Sequence, residues 1–502
     1  MHTTLLLEMA AEADGSRTAL GGAASRLTYR ELLERARAGA AGLTRRGAER
    51  LAYLGPNSPQ FPTLLFAAGA AGVPFAPLSY RLADQQLRAI LRQLSPCTLA
   101  VDPAMAARAA ALGATDVNVI DADELFQPGD AEVPELPPPP DPQWPAVLLM
   151  TSGTSGPPKA AVLRHRHLVA YVLATVEFFA ADEAETLLVS TPPYHIAGLN
   201  AVLTSVYGGR RVVQLAEFSA PGWVDLAAAE QVTHAMVVPT MLGRILDVLA
   251  ERGQTLPSLR HVSYGGGRMP VPVVERALRL LPSVDLVNAY GLTETSSTIT
   301  LLRPDEHRAA MASEDPSVRA RLGSVGRPLP GIELEVRDPS GAVLPAGRAG
   351  EVFVRGEQVS GEYLTGPSVL AYGWYATRDV GYLDAAGYLF LAGRADDVIV
   401  RGGENISPGE IEDVLCLHPA VAEAAVLGLA DAGWGERVEA VVVPAGGAEI
   451  DHAELQEFVR AQLRSSRVPA RIHVRSTLPA TDSGKVLRRL LRAELSQPAR
   501  TE

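Results

Sequence analysis

The sequence predicts an α/β fold, and three observations carry that prediction. Strand-like apolar runs alternate with helical patterns through most of the first 300 residues, as expected of largely parallel sheets covered by helices. After about residue 320 the texture changes to short strands and turns, and residues 397–502 hold enough strands and helices for a small second domain. The length, 502 residues, allows about two to four domains and a generous core.

Taken in order, the first element to place is the N-terminal Leu5-Leu6-Leu7. It lacks a basic flank, a long apolar core and a cleavage signal, so no signal peptide is expected. The longest apolar stretch, near residues 64–78, is broken by Gly69, Gly72, Pro74 and Pro77 and is too short to span a bilayer. Pro134 and the run Pro137 to Pro140 read as a rigid surface connector. The run Trp144 to Leu149 reads as a buried strand. "THAMVVPT" (233–240) precedes the helical "MLGRILDVLAER", "LRHVSYGGG" (259–267) precedes "PVPVVERALRLL", and "VDLVNAYG" (284–291) is another buried strand. Further on, "IELEVRDPSG" and "GEVFVRG" form strand, turn and strand, and "GYLDAAGYLFLAGR" forms a hairpin around Ala385-Ala386-Gly387. Ser407, Pro408 and Glu410 then spell a capping box at a helix start, which Asp451 and Glu454 repeat.

Composition narrows the function classes. With 47% hydrophobic and 20% charged residues the chain is an ordinary globular sequence. A net charge of −12 argues against nucleic acid or an anionic membrane as partner. The densest basic cluster, Arg488-Arg489 with Arg492, reads as a solvated helix face. Cys97 and Cys416 have no metal spacing and fit a reducing cytosol, so a cytoplasmic protein is expected.

The stretch "MTSGTSGPPKAAV" (150–162) hangs seven small or hydroxyl residues, Thr151 to Pro157, from a buried strand and ends in Lys159. Such a loop either wraps an anion with its N–H groups and hydroxyls or is a plain surface loop. It is not the standard phosphate loop of nucleotide hydrolases, whose spacing fails here.

Six stretches occur together in one order: "TSGTSGPPK", "PPYHIAGL" (192–199), "NAYGLTET" (288–295), "GEVFVRG" (350–356), "GYLDAAGYLFLAGRADD" (381–397) and "DSGKVLRR" (482–489). In these the chain resembles the acyl-CoA synthetases of the adenylate-forming superfamily, over essentially its whole length. The resemblance implies a large N-terminal domain of stacked α/β layers (1–395), a small mobile α+β C-terminal domain (396–502) and an active site between them. It implies ATP, Mg2+ and coenzyme A, used to turn a carboxylate into an acyl-adenylate and then a thioester.

Residue by residue, the resemblance assigns Thr151, Ser152, Gly153, Thr154, Ser155 and Gly156 to the pyrophosphate end of ATP. Gly265, Gly266 and Gly267 line the adenine and acyl pockets. In the strand motif Asn288, Ala289, Tyr290 and Gly291 meet the nucleotide, with Asn288 bonding adenine and Tyr290 stacking beside it. Thr293 contacts phosphate, and Glu294 holds magnesium. Asp379 and Arg394 are the ribose pair, Asp396 is the hinge, and Gly402-Gly403 let the pantetheine arm approach. Lys485 bridges the substrate carboxylate and the α-phosphate. His195 stands beside the acyl carboxylate, and Ile196, where an aspartate would meet an α-amine, argues against an α-amino acid. Small residues at Ala197, Gly198 and Gly267 leave room for a bulky or cyclic acid.

The chain departs from the family where ATP is handled. Arg378 replaces the glycine before Asp379, Ser155 replaces threonine, Pro157-Pro158 are adjacent, and Ala160 replaces a glycine. These changes raise an alternative: a protein that performs only thioesterification on an adenylate supplied by a separate enzyme. A carrier-protein thiol as acceptor is a further alternative.

Overall fold

The computed structural model describes residues 1–22, 25–127, 140–151, 159–402, 404–431, 433–480 and 486–496. Its centre is a nine-stranded sheet. Six parallel strands run in the order Asp285–Leu292, His261–Gly265, His234–Val237, Thr186–Val189, Arg211–Gln214 and Thr18–Gly22. Antiparallel strands extend it at both edges. A second, six-stranded sheet is parallel from Val117–Asp121 to Pro145–Thr151 and ends in the antiparallel strand Lys159–Arg164. The two sheets share one core, in which the helices Thr3–Asp14, Gln60–Ala71 and Ile196–Gly208 are packed between them. Gln60–Ala71 is buried on nearly every side, so the apolar stretch around residues 64–78 is a core helix and the strand Phe75–Leu78. No helix among the described residues is long and apolar enough to cross a membrane.

The later half is built from smaller antiparallel units, as its turn-rich texture predicts. Glu333–Arg337, Gly350–Arg355, Tyr375–Leu383 and Leu389–Arg394 form a four-stranded meander. Over residues 395–398 the chain leaves it for a separate five-stranded sheet that begins at Ile399–Arg401 and has its own apolar core.

Two local expectations change and one holds. Pro239 is the first residue of its helix, not the end of the preceding strand, because its fixed φ suits a helical N-terminus. Ser407 occupies the N-cap of Pro408–Leu417 but makes no capping bond. Its hydroxyl instead donates to the Ala392 carbonyl, and Glu410 accepts from Arg467 Nε at 2.8 Å. Asp451 does cap its helix, accepting from the Ala453 and Glu454 amides at 2.8 and 3.1 Å.

Candidate active site

The strand Asp285–Leu292 organises the site. Side chains alternate across a strand, so Val287 and Ala289 face a cavity while Asn288 and Tyr290 point the other way. Asn288 is buried and its Nδ2 donates to the Ser324 carbonyl at 3.0 Å. Tyr290 donates its phenol to Asp379 Oδ2 at 2.5 Å, across from the meander. Gly291 sits at the bulge where this strand and Ser297–Leu302 approach most closely: a Cβ there would lie 1.8 Å from the Ser297 carbonyl oxygen.

The chain then turns through Thr293-Glu294-Thr295. Thr295 is fully buried and holds the turn, accepting from the Leu292 amide at 2.9 Å and donating to the Ser297 carbonyl at 2.7 Å. That leaves Glu294 presented beside it, buried, its Oε1 accepting from the Tyr363 phenol at 2.7 Å. Burial, with Glu294 beside it, pushes the Tyr363 phenol up to about 12, so it remains a donor. Sequence reasoning missed Tyr363 and its neighbours because residues 356–374 carry no periodic pattern. They are fastened by backbone instead. Gln358 Nε2 donates to the carbonyls of Thr295 and Thr298 at 2.9 and 2.7 Å, and the Ser360 amide donates to the Glu294 carbonyl at 2.8 Å.

The same segment reaches the phosphate-loop candidate. Lys159 Nζ lies 5.6 Å from the centre of the Tyr363 ring, and Thr151 pairs with Lys159 across the hairpin whose tip carries the loop. Thr151 is thus linked to Glu294 only through Lys159 and Tyr363; Ser152, Gly153, Thr154, Ser155, Gly156, Pro157 and Pro158 lie outside the described residues, as do Gly403 and Lys485. Ala160 is buried in a regular strand and has no positive φ. Alanine therefore costs nothing there, and that reason for suspecting impaired adenylation falls away.

Asp379 is buried between two partners. Arg394 Nε stands 3.0 Å from its Oδ1, opposite the Tyr290 phenol on Oδ2. Burial and the adjacent carboxylate raise Tyr290 well above the ordinary phenol range. The preceding residue, Arg378, is exposed and has φ +60°. A left-handed backbone is what the missing glycine would have tolerated. Its carbonyl accepts from the Ala395 amide at 2.9 Å, next to Asp396. Relief of the left-handed conformation is worth ~1–2 kcal/mol, offset by ~0.5–1 kcal/mol for glycine's greater freedom in the unfolded chain. Arg378→Gly should therefore raise the denaturant midpoint by the equivalent of ~0.5–1 kcal/mol, measured by urea unfolding; a lowered midpoint contradicts the strain.

Asp396 lies in an exposed turn between two sheets. Of the basic cluster near the C-terminus only Arg489 is on the exposed face expected from sequence. Arg488 is largely buried, donating Nη2 to Glu412 at 2.6 Å and lying 3.7 Å from Asp397, and Arg492 Nη1 donates to the Asp396 carbonyl at 3.4 Å. Apolar packing of Leu491 turns these arginines inward. Across the two units Arg268, just past Gly267, pairs with Asp413. Gly402 has φ +59° and its amide donates to the carbonyl of the exposed Trp434 at 2.8 Å.

The cavity, about 320 Å³, lies between the helix Ile196–Gly208 and the central sheet. Its walls include Ala197, Ala201 and Thr204 at helical spacing, with Met236, Ser263 and Ala289 facing them. Of the residues assigned to the acid pocket, His195, Ile196, Gly198 and Gly267 are absent from this wall. Ile196 packs on the inter-sheet core and Gly267 is exposed. Gly198 is buried for close approach, since a Cβ there would lie 2.9 Å from the Pro192 and 3.1 Å from the Thr191 carbonyl oxygens. His195 stands at the helix N-cap, its ring 4.8 Å from Tyr194. In the three-glycine segment, Gly265 is likewise packed against the Ala289 carbonyl, and Gly266 is exposed.

Comparison with known proteins matches this arrangement. The model of the AMP-binding enzyme family covers residues 7–364, and that of the AMP-binding enzyme C-terminal domain covers residues 410–485. The chain belongs to the AMP-binding enzyme family. Among its AMP-binding relatives is a feruloyl-CoA synthase from an Amycolatopsis species, 36% identical over 94% of each chain. An o-succinylbenzoate CoA synthetase from Bacillus subtilis, solved with its acyl-adenylate intermediate, superposes with a TM-score of 0.86 at 29% identity, covering 99% of each chain. An amide bond synthetase from Marinactinospora thermotolerans gives 0.86 at 30% identity, over 98% of this chain and 99% of that one.

Proposed function

We propose that this AMP-binding enzyme activates a bulky carboxylic acid, not an α-amino acid, as its acyl-adenylate and transfers the acyl group to the thiol of coenzyme A. The observation that carries this reading is the single strand Asp285–Leu292. It lines the cavity with Ala289, engages Asp379 through Tyr290, and leads directly into Glu294. One strand would thus link the acid pocket, the ribose carboxylate on Tyr375–Leu383 and the metal ligand in the turn that follows it.

The chemistry divides among these groups. A carboxylate oxygen of the acid, seated at the Ala289 end of the cavity, attacks the α-phosphorus of ATP, and pyrophosphate leaves. The thiol then attacks the acyl carbonyl and AMP leaves. Asp379 accepts the ribose hydroxyls, held in place by Arg394 and Tyr290. Asn288, whose Nδ2 is committed to Ser324, offers its carbonyl oxygen to the adenine amino group. Thr151 to Gly156, Thr293 and Lys485 take the phosphates, and His195 flanks the acyl carboxylate. Among the described residues no group of three or more His, Cys, Asp or Glu could hold a metal. A lone carboxylate such as Glu294 suits magnesium, which is commonly held by one or two carboxylates together with substrate phosphates, where it would neutralise charge on the leaving pyrophosphate. The cavity wall carries no Asp or Glu among the described residues, so an ammonium there would have no counter-charge.

Two reactions in one cleft call for rotation at Asp396, and a hinge needs only a few backbone torsions. Asp396→Pro, which fixes φ, should depress thioester formation and adenylate formation by different factors. Pyrophosphate release and thioester yield from synthetic acyl-adenylate measure the two; equal losses contradict the hinge. Acid-dependent pyrophosphate release by the unmodified protein tests the function itself, and its absence, with thioester still made from supplied adenylate, would favour the thioesterification-only alternative.

A further inference from the structure

The cavity ends in a polar cluster. Along the sheet Ala289 pairs with Gly265, and His261 lies four residues before Gly265, which puts the far end about 13 Å from the Ala289 end at ~3.3 Å per residue. At the middle level of the register stand Met236, Ser263 and Val287, with the Ser263 hydroxyl turned to the Ala235 carbonyl at 3.3 Å. The far end is formed by His234 and His261, paired at the starts of neighbouring strands, their rings stacked with centroids 4.6 Å apart and planes at 24°.

Each formal charge beside these rings already has its counter-charge. Arg210 donates Nε and Nη2 to Glu185 Oε2 at 2.9 and 2.7 Å. Asp285, 3.5 Å from His261 Nδ1, accepts from Arg308 Nη2 at 2.6 Å. Arg260 stands 3.8 Å from Asp182. His234 Nδ1 is 2.8 Å from Thr233 Oγ1 and Nε2 is 3.7 Å from Glu185 Oε2. Burial and the nearby arginines hold His234 far below the ordinary histidine range, so its ring is neutral at physiological pH. A second carboxylate placed here would face Glu185 and compete with it for Arg210, at a desolvation cost with no free cation to offset it. A pure hydrocarbon end would cover His234 Nε2, which stands 3.7 Å from Glu185, and the part-exposed His261 ring without offering either a hydrogen bond.

We propose that this far end reads one uncharged hydroxyl at the distal tip of a flat aryl acid, and selects against both a plain hydrocarbon tip and a second carboxylate. The small facing residues Ala197 and Ala201 leave a slot over the sheet that suits a flat ring. The inference rests on the acyl-CoA ligase reading above.

The test compares thioester formation from 4-hydroxycinnamate, cinnamate and 4-carboxycinnamate with ATP, magnesium and coenzyme A, with octanoate alongside. The hydroxylated acid should exceed cinnamate in kcat/KM by at least about tenfold, since a site built to bond a hydroxyl rejects the analogue lacking it, and 4-carboxycinnamate should be poorest. His261→Phe, and independently His234→Phe, should move the hydroxyl-to-plain ratio toward one; melting curves identify a variant that fails to fold, and the other then decides. Cinnamate equal to 4-hydroxycinnamate, a preference for the dicarboxylate, or thioester from octanoate alone overturns this inference and leaves the ligase reading standing. No thioester from any of the four acids overturns both.

Discussion

Glu294→Gln should lower acid-dependent pyrophosphate release by about a hundred- to a thousandfold, the size of loss seen when one preorganised electrostatic group is removed. Glutamine keeps the shape and can still accept from the Tyr363 phenol that now bonds Oε1 at 2.7 Å, so the melting temperature should hardly move. What is lost is one negative charge beside a divalent cation. At ~4 Å and an effective dielectric near 20, each unit pair is worth about 4 kcal/mol, enough for a loss of that order. A magnesium titration supplies the second readout. The variant should need far more magnesium for half-maximal rate; an unchanged magnesium dependence would rule out Glu294 as a ligand. Tyr363→Phe, which removes only the supporting hydroxyl, should cost much less.

Asp379→Ala should weaken ATP binding and destabilise the fold together. It takes the carboxylate from the Tyr290 phenol and from the Arg394 guanidinium, which keeps its Nη1 bond to the Thr377 carbonyl at 2.9 Å. Breaking a fully buried ion pair costs about 3–5 kcal/mol. Arg394 is 29% exposed, so water can recover part of that and about 2 kcal/mol is the fair expectation. Asp379→Asn keeps one acceptor oxygen for Arg394, while its amide can only donate to the Tyr290 phenol oxygen, so it should restore part of the stability while ATP affinity stays at least tenfold down. Urea unfolding and calorimetric titration with ATP separate the two effects. Wild-type ATP affinity in the asparagine variant would remove Asp379 from the nucleotide site.

The fold was largely legible in the sequence because its signals are periodic. Parallel strands such as His234–Val237 and His261–Gly265 are apolar runs bounded by turn residues, and the amphipathic helices between them repeat at helical spacing. The meander was equally visible in its turns. Of the residues assigned to the site, the fold brings Asp379 and Arg394 together beside Tyr290 and places Glu294 in the turn just past Asp285–Leu292. Three things were not legible. Tyr363 and Gln358 act from an aperiodic segment, where a side chain's partner depends on how the backbone crosses the sheet edge. Arg488 looks like any exposed helical arginine until Glu412 and Asp397 arrive from sequence-distant elements. The acid pocket was legible only in part, since of the small residues read as leaving room Ala197 lines the cavity and Gly198 and Gly267 do not, because small size has two causes. Gly198 is small so that backbone can pack against backbone, and Ala197 is small where the cavity needs room.

Structural relatives of similar likeness form thioesters in one case and amides in another, so the acceptor is where the account is most exposed. Mass spectrometry of the products from the wild-type protein, given ATP, magnesium, an aryl acid such as 4-hydroxycinnamate, coenzyme A and a simple amine together, tests it directly. The account predicts the coenzyme A thioester with stoichiometric AMP and pyrophosphate. Acyl-adenylate that accumulates in the presence of coenzyme A, or an amide as the sole product, would contradict it.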